Sequence, residues 1–349
     1  MLATTKPKRV LIALSGGVDS SVCVHLLKEQ GYEVAGVVFD MSPAHTKTVN
    51  AAKDSARSLD IPLFVKNLHK EFNENVISYF VSEYLEGRTP NPCVVCNQYI
   101  KFPAFLQSAR EYGYTYIATG HYARIECDGG VYRLRKGKQQ SKDQSYVLYN
   151  LNPELLASAV FPLGEYGKEE VRALAAENGL VVANKADSQD ICFVPDGDYC
   201  GFLERYTGES GVPGNFVDEA GNTLGTHRGI WQYTIGQRKG LGVSFGKPMF
   251  VSKINPEANT VTLCEDTELY SGDLYAGQMN YLDGELPQKP FEATVRIRYA
   301  HTGVAATVYP QEKNGAHIVF LEPQRAVTKG QSAVLYKGEY VLGGGTILG

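Results

Sequence analysis

The sequence predicts a doubly wound parallel α/β sheet followed by a small linker domain and a C-terminal antiparallel β-barrel. Three observations carry this. An apolar run at Val10 to Leu14, a helical pattern at Asp19 to Gln30 closed by Gly31, and a second apolar run at Val34 to Phe39 make a βαβ unit. Helical stretches at Thr46 to Leu59, Phe72 to Glu86 and Tyr99 to Tyr112 then alternate with strand candidates at Pro62 to Val65 and Tyr116 to Thr119, the pattern of a parallel sheet covered on both faces. From about Asn215 the texture changes to short β-branched runs between Gly-rich turns.

Gly164 to Gly167 interrupts the α/β pattern, and Lys168 to Asn178 reads as a helix closed by Gly179. The expected domains are therefore 1–163, a linker domain at 164–214, and a barrel at 215–349. Within the last, Phe250 to Ile254, Thr260 to Leu263, Ala293 to Tyr299, Val304 to Val308, Ile318 to Leu321 and Ala333 to Tyr336 are the strand candidates.

Composition narrows the class. The chain has 349 residues, 43% of them hydrophobic and 21% charged, with a formal net charge of -4. That is an ordinary globular composition, and any nucleic-acid surface must be a local patch. Met1 to Lys8 is too short and polar for a signal peptide, and the first apolar run meets Ser15-Gly16-Gly17 before it can span a bilayer, so a cytoplasmic protein is expected. Seven scattered cysteines favour reduced thiols over a disulfide scaffold. Cys23 and Cys264 read as core residues, and Cys127 and Cys200 as bystanders.

Ser15-Gly16-Gly17-Val18-Asp19-Ser20-Ser21 joins the first strand to the first helix, at the sheet edge where open α/β folds bind ligands. Glycines let the backbone approach an anion, the serines add hydroxyl donors, and the helix adds its positive end. The loop lacks the Gly-Lys-Ser/Thr of a Walker A motif and the G-x-G-x-x-G of a dinucleotide site. Asp19 would repel phosphate and is expected to help hold magnesium; the bland alternative makes it a helix cap.

This loop resembles that of the N-type ATP pyrophosphatases (the PP-loop, adenine nucleotide alpha-hydrolase-like fold), which adenylate a carbonyl oxygen and release pyrophosphate. Five further stretches follow in order: Gly87 to Asn97 with Ile100-Lys101-Phe102, Ala118 to Arg124, Lys142 to Tyr146, Ser188 to Phe193, and Tyr233 to Gly242. Together they are similar to the tRNA-specific 2-thiouridylase family over nearly the whole chain. The resemblance implies that ATP adenylates C2 of the wobble uridine (position 34) of tRNA. A persulfide on Cys192 then attacks C2, and Cys96 releases the sulfur by forming a disulfide with Cys192. It implies ATP and magnesium as cofactors, with Ala13, Leu14, Ser15, Gly16, Gly17, Val18, Asp19, Ser20, Phe39 and Gly120 around the nucleotide. Asn91, Pro92 and Cys93 would face the target base, and His121, Lys142, Asp143, Gln144, Arg298, Tyr299 and Gln331 would meet the tRNA. A sulfur donor such as a cysteine desulfurase or sulfur-carrier protein is the other implied partner, with no membrane and a monomeric state.

Cys93 departs from the pattern, since many members carry aspartate there. Taken alone, Cys93-x-x-Cys96 suggests a zinc half-site, but no second close Cys/His pair completes it. A second mechanism has Cys93, Cys96 and Cys192 holding an iron-sulfur cluster. Cys96 is expected at the start of a helix near Asn97, where the helix dipole lowers a thiol pKa. Two acid-free basic stretches, Val131 to Lys142 and Ala220 to Pro256, are candidate phosphate contacts or plain solvated hairpins. Another carbonyl-adenylating enzyme leaves the paired cysteine stretches unexplained, and a non-catalytic tRNA-binding protein leaves the intact loop unexplained.

Overall fold

The computed structural model describes residues 8–180 and 191–349. Ser188, Gln189 and Asp190 of the stretch ending in Cys192-Phe193 lie outside the described residues, as do residues 1–7 with most of the Met1 to Lys8 segment.

The first sheet is parallel, in the order β3-β2-β1-β4-β7, from β1 (Arg9–Ala13), β2 (Glu33–Asp40), β3 (Leu63–Asn67), β4 (Tyr116–Ala118) and β7 (Ala159–Val160). Period-2 alternation sends its side chains to two cores. Val10, Ile12, Val34 and Val38 meet α1 (Val18–Glu29) and α2 (Thr46–Ser58), whereas Leu11, Ala35, Val37 and Phe39 meet helices spanning 69–85 and 92–111. The chain winds outward from β1 through β2 to β3, then returns to β4 on the opposite side of β1. The β1 to α1 loop therefore opens at the switch in strand order, the crevice such sheets use for ligands.

Two glycines fix that loop. Gly16 has φ +68°, and a Cβ there would lie 2.3 Å from the Ala51 carbonyl carbon of α2. Gly120, after β4, lets its strand approach α1: a Cβ would sit 3.3 Å from Asp19 Cβ. At Gly16 only glycine gives this approach without displacing α2, whereas the contact at Gly120 is merely tight.

The β-rich part is two bodies. β8 (Gly214–Val217), β9 (Thr223–His227), β10 (Phe250–Asn255) and β11 (Thr260–Cys264) form a four-stranded sheet around Phe216, Tyr233, Val251, Val261 and Leu263. The six strands β12 (Tyr270–Tyr281), β13 (Phe291–Arg296), β14 (Val304–Gln311), β15 (Gly315–Arg325), β16 (Ser332–Lys337) and β17 (Tyr340–Ile347) close into an antiparallel barrel through β12–β17 pairing.

The hairpin of β5 (Ala123–Asp128) and β6 (Val131–Lys136) leaves the first domain and joins β17 at Arg135 and Tyr340. This accounts for much of the first basic stretch. Arg135 pairs with Glu126 and Glu339, Arg133 with Asp128, and Lys136 lies over the Tyr336 ring at 4.5 Å. Glu126 and Asp128 belong to the hairpin itself, whereas the Arg135 to Glu339 pair and the Lys136 to Tyr336 contact tie the hairpin to the barrel. No described helix is long and apolar enough to cross a membrane.

Candidate active site

In the phosphate loop, Ser20 Oγ lies 3.3 Å from the Ser15 N–H and 3.2 Å from Ser15 Oγ, while Ser21 Oγ donates to the Gly17 carbonyl at 2.9 Å. The hydroxyls thus shape the turn at the N-terminus of α1, where backbone donors and the positive dipole end favour an anion. Asp19 is paired within the protein. Lys168 Nζ donates to its two oxygens at 2.8 and 2.9 Å, and Tyr122 donates its hydroxyl at 2.9 Å. This ion pair brings a buried ammonium to the phosphate loop.

Lys168 was not among the residues expected from sequence. Its signal was present: it opens the helix Lys168–Glu177, so a cation occupies the positive end of a dipole. That placement is unfavourable unless a carboxylate such as Asp19 compensates it. Phe39 lies near the end of β2. Its ring is buried edge-on against Phe105 at 5.6 Å, so the side chain belongs to the core beneath the nucleotide crevice.

The cysteine helix begins earlier than its apolar pattern suggests. Asn91 caps it by accepting the Val94 N–H at 3.4 Å, and Pro92 occupies the first helical position, which needs no donor. Cys93 is therefore in the first turn and Cys96 a turn further in. The expected dipole relief at Cys96 does not apply. Cys96 is buried, its sulfur 4.0 Å from Met41 Sδ, and burial pushes its thiol up; the charge of Lys101 and a backbone hydrogen bond from Lys101 pull it back.

A π-helical turn spans Cys96–Lys101, with the Phe102 N–H reaching the Asn97 carbonyl. In a regular α-helix residues five apart point to different faces; the wider turn brings Lys101 back towards the face of Cys96. Cys93 and Cys192 are solvent-accessible, yet surrounding protein raises both thiols, Cys192 to about 12. For Cys192 the further causes are the charges of Cys96 and Cys93, with Lys101 opposing them. The three sulfurs thus share one electrostatic neighbourhood around Lys101, a second residue that sequence reading left without a role.

Among the described residues, no three His, Cys, Asp or Glu side chains are arranged to hold a metal ion. Cys93, Cys96 and Cys192 do not form the ligand set an iron-sulfur cluster requires, and all three are free thiols. Cys23 is buried in the apolar core around α1, as its sequence context suggests; Cys264 is buried too, but its thiol lies beside Ser252 and the acids Glu268, Glu219 and Asp266.

Family models match three consecutive segments: a tRNA methyl transferase HUP domain at residues 8–196, a tRNA methyl transferase PRC-barrel domain at 200–265 and an aminomethyltransferase beta-barrel domain at 271–347. The chain is 48% identical to the tRNA-specific 2-thiouridylase MnmA of Lachnoclostridium phytofermentans, over 98% of this chain and 99% of the relative. The proteins of the same name from Carboxydothermus hydrogenoformans and Clostridioides difficile are 49% and 46% identical, over 97% of this chain and 97% and 98% of theirs. The chain belongs to the tRNA-specific 2-thiouridylase family. Among solved structures, the U34-tRNA thiolase NcsA of Methanococcus maripaludis, with its 4Fe-4S cluster, is 17% identical over 58% of this chain and 68% of that one; its TM-score of 0.36 is too low to bear on this site.

The positions that a 2-thiouridylase would turn to tRNA divide into two groups. Arg298 and Tyr299 are exposed after β13, and Tyr299 is near enough to Cys93 to feel its charge. His121 is half-buried beside Phe102, its Nδ1 2.7 Å from Thr119 Oγ1; burial and then Lys101 lower its pKa to about 3, so it is a neutral ring. Lys142 is half-buried in the turn Gln140–Lys142.

The second group is occupied inside the protein. Asp143 is 4% exposed and accepts from Arg296 Nη1 at 2.8 Å, from the Gly137 and Ser145 N–H groups at 3.0 Å and from Ser145 Oγ. Gln144 accepts the Tyr122 N–H at 3.0 Å, and Gln331 donates to the Thr89 carbonyl at 2.9 Å. The Asp143 side chain is taken up by a cross-domain salt bridge, invisible in sequence because Arg296 lies on a barrel strand.

Proposed function

We propose that this protein is an ATP-dependent tRNA 2-thiouridylase that converts the wobble uridine to 2-thiouridine, with AMP and pyrophosphate as the other products. The observation that carries the reading is the phosphate loop at the N-terminus of α1 in a chain 46–49% identical to 2-thiouridylases; Lys101, whose charge acts on Cys93, Cys96 and Cys192 alike, supports the role of the thiols. ATP-magnesium binds as a substrate along the β1 to α1 loop, whose donors take up the departing pyrophosphate. Adenylation converts the C2 oxygen of uridine from a poor leaving group into AMP.

The sulfur steps balance with two thiols. A donor persulfide transfers its outer sulfur to Cys192, leaving the donor thiol. The terminal sulfur of the Cys192 persulfide attacks C2, the C2–O bond breaks and AMP leaves. Cys96 thiolate then attacks Cys192 Sγ, breaking the S–S bond so that sulfur stays on C2 and a Cys96–Cys192 disulfide forms. An external dithiol reduces that disulfide before the next cycle. Lys101 is the cation that favours the anionic sulfur in these steps, against the burial that raises every thiol here.

The donor is a cysteine desulfurase or a sulfur-carrier protein in this reading, and the enzyme acts as a cytoplasmic monomer. Nucleoside mass spectrometry after incubation with tRNA, ATP-magnesium and a persulfide donor tests it. ATP-dependent 2-thiouridine is expected, and Cys192→Ser should abolish it while pyrophosphate release continues. Absence of the product from the unsubstituted enzyme with every donor would overturn the reading.

A further inference from the structure

The loop that leads into the cysteine helix is held from the far end of the chain. Gln331 Nε2 donates to the carbonyls of Thr89 and Pro90, at 2.9 and 3.4 Å, and the Thr89 N–H donates to the Lys329 carbonyl at 2.9 Å. Between these contacts Gly330, with φ +88°, passes so close that a Cβ would lie 2.9 Å from the Thr89 oxygen. The turn is itself stitched to β17: the Gly330 N–H meets the Ile347 carbonyl at 3.0 Å, and the Ile347 N–H meets that of Gln331 at 2.8 Å.

The same loop is gripped elsewhere. A Cβ on Gly87 would lie 2.6 Å from Ile254 Cγ2 of the four-stranded domain, and Arg88 makes a two-pronged pair with Glu83 at 2.8 and 2.5 Å. Thr89 and Pro90 are followed at once by the Asn91 cap, by Pro92 and by Cys93. Whatever sets the Thr89 and Pro90 carbonyls therefore sets the origin of the helix that carries both cysteines.

We infer that Gln331 is a positioning residue for sulfur transfer, acting through Thr89 and Pro90 on the start of the cysteine helix, beyond any RNA contact that its family position implies. A carboxamide has one NH2 group as donor, and here that group serves the two loop carbonyls. The acceptor oxygen of the same carboxamide is not used in these two bonds, so an RNA contact through it leaves the loop held. The inference rests on the thiouridylase reading for its consequence, since displacement of a reacting group by about 1 Å costs up to about a hundredfold in rate.

The test compares Gln331→Glu, which keeps size and removes the donor, with Gln331→Ala. Four quantities are measured on each full-length protein: tRNA affinity, tRNA-dependent pyrophosphate release, 2-thiouridine formation, and the iodoacetamide labelling rates of Cys93 and Cys96 by mass spectrometry. The expected result is an about tenfold loss of thiolation per bound tRNA and altered labelling of Cys93 or Cys96 in the tRNA-free enzyme, with pyrophosphate release per bound tRNA within about twofold. Weaker tRNA binding with unchanged turnover of bound tRNA and unchanged labelling would make Gln331 an RNA contact only. A parallel fall in all activities and in melting temperature, with labelling unchanged, would make it merely structural. Should the unsubstituted enzyme form no 2-thiouridine, the function reading fails separately, while labelling still decides the positioning role.

Discussion

Lys168 and Asp19 meet through both carboxylate oxygens, at 2.8 and 2.9 Å, so the one acid in the phosphate loop is neutralised by a lysine from the helix after β7. The ammonium is nearly buried, whereas a third of the Asp19 side chain is exposed. Removing the two partners therefore has unequal effects. Asp19→Ala takes a carboxylate from a nearly buried ammonium and should cost about 2 kcal/mol, discounted for solvent at the carboxylate; Lys168→Met should cost under about 1 kcal/mol. Denaturant titration checks the order. Both variants should slow pyrophosphate release at least about tenfold, because the pair sits where that charge departs.

Lys101 faces Cys93, Cys96, Cys192 and His121, and opposes the burial that raises the three thiols. In Lys101→Met the thiols lose that opposition. Iodoacetamide labelling of Cys192 at pH 8 should slow by roughly two- to tenfold, since the thiolate is the reacting species. Equal labelling rates in the two proteins would count against a role for this charge.

His121 gives a pH prediction with a defined sign. Its folded pKa, about 3, lies below the ordinary 6.5, so the fold favours the neutral ring. The unfolded chain binds the extra proton between those values, and stability must fall as pH drops from 6.5 towards 3. The contribution is complete above 6.5. Replacing His121 by Asn should flatten the stability-versus-pH slope in that window by up to about 1.4 kcal/mol per pH unit. Chemical denaturation at several pH values measures it, and an unchanged slope would contradict the burial of this ring.

The Asp143 to Arg296 pair ties the first domain to the barrel, with both groups buried. Asp143→Ala leaves a buried guanidinium without its carboxylate and three donors without their acceptor. Its expected cost is about 3–5 kcal/mol, seen as a lower melting temperature at any tRNA concentration. A variant of unchanged stability with weaker tRNA binding would support the surface role expected from sequence.

Much of this protein was legible in order. The alternation of Val10, Ile12 and Leu14 with Leu11, and the period of the helices, are local consequences of backbone geometry, so the parallel sheet and its loop at the switch point could be read directly. The ordered stretches carried the family. The start of the cysteine helix was misread because Asn91-Pro92 breaks an apolar pattern while being a favourable helix opening. Sequence by itself determined the chain's elements, its family and which cysteines to examine. Tertiary structure decided what their surroundings do: that Lys168 neutralises Asp19, that Lys101 stands among the thiols, that Asp143 is spent on Arg296, and that Gln331 grips Thr89. Each of these depends on partners distant in sequence, and no local pattern encodes which buried charge will meet which donor once the chain has closed.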